Sequence, residues 1–331
     1  MRRRAKNLLV LDSTAGRVNR KKSKMVPVGY QYRRMAAIAA FAALGVAVVL
    51  FVVWGIASIV TDILYPPISE ESGIVIEVDK EAANYTDKDA FDMLILKVSD
   101  DGLTAEQSML ARFEPSEERV YVTVLHPQTV FEGDTLAEHY RKGGTARCAE
   151  VMAREADCDE VFTVAMTYVQ IRLLINELGG VTFYVPQTVN YIAEKADRNV
   201  NIAKGEREYT GGETARLLNF PGWEGGDAQH RQMYCTVLEA LIDQNLKTSK
   251  AGKLKNMYLK LYSGSQADMS MTDFHDKLLG LTYLAEHNDE DGSLTMNVEI
   301  KTKDNGDGTY SLTEDGAKLL RAVFGRRDFE Q

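Results

Sequence analysis

Three groups of residues are the first places where residue type and spacing could do chemistry. Cys148, Cys158 and Cys235 are odd in number and contain no C-x-x-C pair, so neither a zinc site nor a dense disulfide framework is expected. Cys148 and Cys158 could bridge in an oxidising compartment, but the preferred reading is three unpaired, partly buried thiols. Asp304-Asn305-Gly306-Asp307-Gly308 invites a calcium loop. With Gly308 at the sixth loop position, Lys303 falls where the first carboxylate belongs, so the stretch reads as a turn. Asn84-Tyr85-Thr86 has the form of a glycosylation sequon, and nothing else in the sequence supports its use.

Charge is divided unevenly along the chain. Its 331 residues are 45% hydrophobic and 26% charged, enough to bury a core. The formal charge is −9, yet residues 1–34 hold eleven Lys and Arg against Asp12 alone, so the remainder sums to −19. An acidic body lacks the clustered cations that nucleic acid binding needs, so no nucleic-acid partner is expected. The basic arm has another explanation. Residues 35–60 are 26 residues without a charge, where a bilayer-spanning helix needs about 20 and the apolar part of a cleavable signal only about 7 to 15. Lys and Arg accumulate on the cytoplasmic flank of a span. The expectation is a single-pass cell-membrane protein with a cytoplasmic amino terminus and an extracytoplasmic main domain; the arm could also hold anionic lipid.

The elements beyond the span alternate in type. Residues 61–88 read as a polar, proline-containing stalk. Apolar β-prone runs occupy Phe91–Val98, Met109–Phe113, Val120–Leu125, Val161–Ala165 and Val181–Val185, and the second and third are expected to form an antiparallel hairpin. Helical spacing marks Thr145–Glu155, Met166–Leu178 and Asp227–Leu246, the middle one closed by Gly179-Gly180. Weaker helices are expected near Lys253–Tyr262 and Thr272–Ala285, then a hairpin of Thr295–Lys301 with Thr309–Leu312 around the Asp304–Gly308 turn. These patterns predict an α/β domain, a layered mixed sheet covered by helices, over residues 89–250. Residues 251–331 are read as its carboxy-terminal extension.

Three stretches then resemble a known family. Residues 134–144 (DTLAEHYRKGG), 162–186 (FTVAMTYVQIRLLINELGGVTFYVP) and 205–218 (GEREYTGGETARLL) are similar in order and spacing to the LytR-CpsA-Psr family of cell-envelope proteins. Gly179-Gly180-Val181 with Val185-Pro186, and Gly212-Glu213 with Ala215, carry the likeness over about residues 91–246. The resemblance implies transfer of a glycopolymer from a polyprenyl-phosphate carrier to peptidoglycan, with Mg2+. That chemistry needs an isoprenoid slot, cations for pyrophosphate, and carboxylates to hold metal or activate the acceptor hydroxyl.

Carried over position by position, the family's site motifs are mostly altered. The first carboxylate falls on Ser99 or, with a one-residue shift, Asp100, which is the candidate catalytic and metal-holding residue and also reads as a turn residue in Ser-Asp-Asp-Gly. The second acid has become Gln107, which can neither act as a base nor neutralise a metal. A third motif arginine is missing around His126-Pro127-Gln128, where His126 also reads as a strand-end residue. In the fourth motif Asn219 and its neighbours stand where two arginines belong, and only Arg231-Gln232 keeps the final pair, with His230 beside it and Asp227 shortly before; Arg231 is the second catalytic candidate and also reads as a solvated first-turn residue. His126, Gln107, Asn219, Asp227, His230 and Gln232 are the candidate substrate contacts. Each lost charge-assisted hydrogen bond is worth about 1.5 to 3 kcal/mol, so tight pyrophosphate binding needs His126, His230 or Arg112 to compensate. Phe162, Met166, Val169, Leu173, Leu174 and Leu178 could line a lipid slot, though such a helix face is core first; Trp223 reads equally as a loop over the site or a surface anchor.

Two functional expectations follow. One is a catalytically degenerate envelope protein, a pseudoenzyme binding a lipid-linked glycan, peptidoglycan or another assembly protein. The alternative is an active phosphotransferase using rearranged acids, Asp100, Asp101, Glu106 and Asp227, with Arg231 and Mg2+.

Overall fold

The computed structural model describes residues 89–250, Tyr258, Tyr262, 266–291 and 293–325. The expected arm, span and stalk, the sequon at Asn84 and most of the expected helix near 253–262 lie outside these. Among the described residues, no helix is long and apolar enough to cross a membrane.

The chain begins with β1 (Phe91–Val98), β2 (Ala105–Glu114), β3 (Arg119–Leu125), the two-residue strands β4 (Val130–Phe131) and β5 (Asp134–Thr135), and α1 (Leu136–Ala156). Next come β6 (Val161–Thr167), α2 (Tyr168–Leu178), β7 (Val181–Val185), β8 (Val189–Tyr191), β9 (Val200–Ile202), β10 (Gly205–Tyr209), α3 (Gly211–Leu218) and α4 (Gly226–Asn245). The remainder holds β11 (Gln266–Ala267), α5 (Met271–Asp291), β12 (Thr295–Asn297), β13 (Thr302–Asp304), β14 (Tyr310–Leu312) and α6 (Glu314–Phe324).

Six strands form the central sheet in the order β11-β6-β1-β2-β3-β12. β1, β2 and β3 run antiparallel in sequence, whereas β1–β6 and β3–β12 are parallel, so the sheet is mixed. Because side chains alternate along a strand, β1 sends Phe91, Met93 and Ile95 to one face and Leu94, Leu96 and Val98 to the other. The first face is covered by α2, α4 and α5 through Ile171, Ile175, Val237 and Leu284. The second is covered by α1 and α6 through Val151, Met152, Leu320 and Phe324. The result is a three-layer helix–sheet–helix domain, with β1 buried on both sides, as its near-continuous apolar run requires.

Local chemistry fixes the element ends. Thr167 caps α2 and Gln170 reaches back to the Thr167 amide, a capping box that starts the helix two residues after the expected Met166; Met166 itself stays in β6. At the other end Gly179 adopts φ 91°, and its amide and that of Gly180 satisfy the Asn176 and Ile175 carbonyls. The expected helix Thr145–Glu155 is only the second arm of α1, which breaks at Gly143 and Gly144 after a first arm capped by Thr135.

The carboxy-terminal hairpin needs correction. Thr295–Asn297 does not pair with Tyr310–Leu312 but extends the main sheet beside β3, and the hairpin partner is β13. Backbone amides of Val120 and Val298 bond across β3 and β12, so a sheet edge outcompetes the local hairpin. The turn at 304–308 is a turn: Asp304 and Asp307 accept from the Gly306 and Thr309 amides. All three cysteines are free thiols, Cys148 and Cys235 buried.

Candidate functional site

The face under α2 and α4 changes character along each strand. β1 runs Phe91, Met93, Ile95 and then Lys97 on that face, and Gln107 of β2 lies directly opposite Lys97, following Met109 in the same row. β3 delivers His126 one residue beyond its end. Three apolar rows thus terminate in Lys97, Gln107 and His126 at one edge of the sheet. This is the carboxyl end of the parallel pair β1 and β6, where α/β sheets hold ligands.

The apolar part of the face is hollow. A cavity of about 240 Å³ lies between the sheet and the helices, walled by Met93, Ile95, Met109 and Val164 from the strands and Leu174 and Leu238 from α2 and α4. Of the residues expected to line a slot, Met166, Leu174 and Leu178 do. Phe162 is packed in the core, and Val169 and Leu173 point outward and are exposed, because only one stripe of α2 meets the sheet.

The polar edge is built from α3 and α4 meeting the strand ends. Lys97 is 6% exposed, donates to Asn219 Oδ1 at 2.8 Å and pairs with Glu106. Asn219 also donates to the Ala215 carbonyl at 2.7 Å, and the Leu218 carbonyl accepts from His230 Nε2 (2.7 Å) and Tyr234 (2.8 Å). These contacts satisfy the carbonyls that end α3, so His230 and Asn219 hold the site's frame. Asp227, in the first turn of α4, pairs with Arg231 one turn on and lies 3.5 Å from His126 Nε2. His126 Nδ1 accepts from the Gln128 amide at 3.0 Å, so the ring proton sits on Nε2, facing Asp227; Tyr310 packs on the ring at 4.3 Å. Burial lowers both His126 and His230 below the ordinary histidine value, so both are neutral at pH 7. Gln107 is 8% exposed and its buried Oε1 has no partner.

The structure therefore gathers His126, Asp227, Arg231, Asn219, His230 and Gln107 at one edge. Asp100 stands apart from them in its partners. It lies on the β1–β2 turn, where Lys195 (2.5 Å) and Arg198 (2.5 and 2.6 Å) hold it and lower its carboxyl, Lys195 first. Gln232 is exposed. Arg112 is no substitute for a lost site arginine: it is buried between Asp92 and Glu114 at 2.9 and 3.0 Å. Trp223 is neither a loop over the site nor a surface anchor but is buried against Phe220. Sequence reasoning missed the Lys97–Glu106 pair and Tyr310. Lys97 had a legible signal, a lysine that ends the otherwise apolar row Phe91, Met93 and Ile95 of β1.

Magnesium fits this donor set poorly. Mg2+ takes oxygen ligands, usually one or two carboxylates with phosphate, but Asp100, Glu106 and Asp227 are each already paired with a cation. Gln107 brings no charge, so no chemistry is routed through a metal here.

The fold is a layered α/β domain with an apolar cavity on one face of a mixed sheet. The sequence profile of the LytR_cpsA_psr family matches residues 120–322, and the chain belongs to that family. No curated protein matches. Among solved structures, a Eubacterium siraeum protein described as a transcription regulator is 17% identical, covering 74% of this chain and 95% of its own, with TM-score 0.67. TagV of B. subtilis is 17% identical, covering 72% and 97%, with TM-score 0.58. The LytR-Csp2A-Psr enzyme of Actinomyces oris is 20% identical, covering 72% and 91%, with TM-score 0.56. At these identities the likeness establishes the fold.

Proposed function

We propose that this chain is a membrane-anchored, extracytoplasmic member of its family that binds a lipid-linked glycan of the cell envelope without transferring it. The single observation that carries the reading is an apolar cavity of about 240 Å³ on the sheet face whose strand rows end in Lys97, Gln107 and His126, where the charges neutralise one another. An apolar hollow of this size forgoes packing worth about 6 kcal/mol at about 24 cal/mol per Å³, which a hydrocarbon guest restores. At the edge, Lys97 is matched by Glu106 and Arg231 by Asp227, leaving neither a free base nor a free metal ligand. The anchor rests on the uncharged stretch 35–60 and its basic flank.

The test is a transfer assay on the purified full chain with Mg2+, a polyprenyl-linked glycan donor and peptidoglycan, alongside Arg231→Ala with Asp100→Ala. The expected result is donor binding with no transferred glycan in either protein. Turnover abolished by the double change would sink the degenerate reading and establish the transferase.

A further inference from the structure

The amino end of β1, opposite the polar edge, joins three features that the proposed ligand site does not use. The first is where the chain enters the domain. Asp89 and Ala90 precede β1 and lie against α5: Lys277 Nζ donates to the Ala90 carbonyl at 3.1 Å, and a Cβ on Gly280 would stand 3.3 Å from the Asp89 carbonyl and 2.7 Å from the Pro115 ring. Residues 61–88, which follow the uncharged stretch 35–60, therefore join the domain at this end.

The second feature is the near end of the apolar cavity. Phe91 and Phe113 face one another across β1 and β2, stack at 4.6 Å, and line the cavity together with Phe274 and Leu281 of α5. The third is a row of rings leading outward from that wall. Tyr258 stacks on Phe274 at 4.3 Å, nearly parallel at 9°, and Tyr262 stacks on Tyr258 at 6.1 Å. Phe274 and Tyr258 are buried whereas Tyr262 is 47% exposed, so the row passes from the cavity wall to the surface. Leu279, 44% exposed, stands out from α5 beside the Gly280 that packs on Pro115. Charge does not dominate here, because His275 and Lys277 of α5 are offset by Asp273 and Asp276.

We propose that this end of the domain, with Tyr262 and Leu279 at its surface, is a docking face for the lipid bilayer; the proposal rests on the membrane-anchored reading given above. An exposed tyrosine suits the headgroup level, with its ring in the apolar layer and its hydroxyl in water, and a leucine beside it adds buried apolar area. A bilayer is the occupant because the anchor leads into the domain at this same end, which keeps lipid there at a high local concentration. Docked in this way, the domain turns the near end of the cavity toward lipid and the polar edge away from it. A competing apolar pair lies at the far end of β1: Leu103 and Ile192 are 65% and 84% exposed on two loops that Asp100 joins through Lys195 and Arg198. Docking by the amino end leaves that pair in water.

The experiment attaches an NBD fluorophore to an introduced cysteine, Leu279→Cys or Leu103→Cys, in the full chain reconstituted into phosphatidylethanolamine–phosphatidylglycerol vesicles, and measures quenching by nitroxides carried on the lipid acyl chains. The native thiols are buried or half-buried and stay unlabelled at pH 7. Docking predicts that the label at 279 is quenched about threefold or more above the label at 103, the contrast between a group seated about 5 to 10 Å into the headgroup boundary and one in water. If Leu279→Cys fails to fold, His275→Cys, exposed one turn earlier on α5, carries the test. Equal quenching at the two ends, or stronger quenching at 103, overturns the proposal. So does a blue-shifted emission at 279 without lipid quenching, which would mean a protein partner such as a second copy of the chain. Alkaline carbonate extraction reads the anchor separately. A chain that stays in the vesicles with the label at 279 in water overturns the docking face alone, and a chain that is stripped off overturns the anchor and the docking face together. Neither readout depends on a bound glycan or on its transfer.

Discussion

Replacing Val164 by phenylalanine distinguishes a hollow from a packed core by the sign of the stability change. Val164 sits on β6, buried, with its side chain against the cavity. The substitution adds four carbons, which bonded together need less room than four waters at about 30 Å³ each and so fit within the 240 Å³ available. At about 0.8 kcal/mol per buried carbon the ceiling on the gain is about 3 kcal/mol, reduced by any departure from a relaxed rotamer. Phenylalanine suits a strand, so the backbone raises no objection. Urea unfolding of the delipidated full chain therefore gives Val164→Phe a midpoint higher by an amount equal to about 1 to 2 kcal/mol at unchanged m. A tightly packed core would instead lose about 1 to 3 kcal/mol to overpacking, and that loss would refute the hollow and the lipid reading built on it.

Three other outcomes follow from particular groups. Arg112→Met leaves the buried Asp92 and Glu114 carboxylates without their cation and lowers stability by about 3 to 5 kcal/mol; a neutral result in urea unfolding would mean that the triad is solvated. His126 and His230 are held below the ordinary histidine value by burial, so the native state refuses protons that the unfolded chain accepts. Stability is then complete above about pH 6.5 and falls below it toward the lowered values, by at most about 1.4 kcal/mol per pH unit for each ring; His126→Gln with His230→Gln flattens that fall, and identical slopes would contradict it. Burial pushes the Cys148 and Cys158 thiols up to about 12 and raises Cys235. Native alkylation at pH 8 therefore runs about a thousandfold slower than in denaturant, and a Cys148–Cys158 disulfide in the mass spectrum would contradict the free-thiol state.

Much of the frame was legible in the sequence for physical reasons. Strands β1, β3 and β7 announce themselves because β-branched and aromatic residues are bounded by turns, and Gly179-Gly180 marks the end of α2 because only glycine relaxes at those φ values. The carboxy-terminal pairing was not legible. Whether Thr295–Asn297 joins a hairpin or a distant sheet edge depends on contacts about 175 residues apart, which local patterning does not encode. The kink in α1 was visible only as Gly143-Gly144, and helical spacing marked the second arm alone.

The site was legible in part. His126, Asp227 and Arg231 were singled out and the structure brings them together, whereas Asp100 was singled out for its position in a motif and the fold gives it to Lys195 and Arg198. Those cations arrive from a loop nearly a hundred residues away in sequence, and no spacing rule connects them. The hollow itself has no sequence signature, since Met93 and Leu174 look the same whether they pack or line a cavity.

The most direct test of the central claim is native mass spectrometry of the full chain purified in mild detergent, comparing wild type with Val164→Phe. Binding of a lipid-linked glycan in the cavity predicts a retained polyprenyl-type lipid mass in wild type that is strongly reduced in the variant. Wild type without lipid, or equal lipid in both proteins, would contradict it.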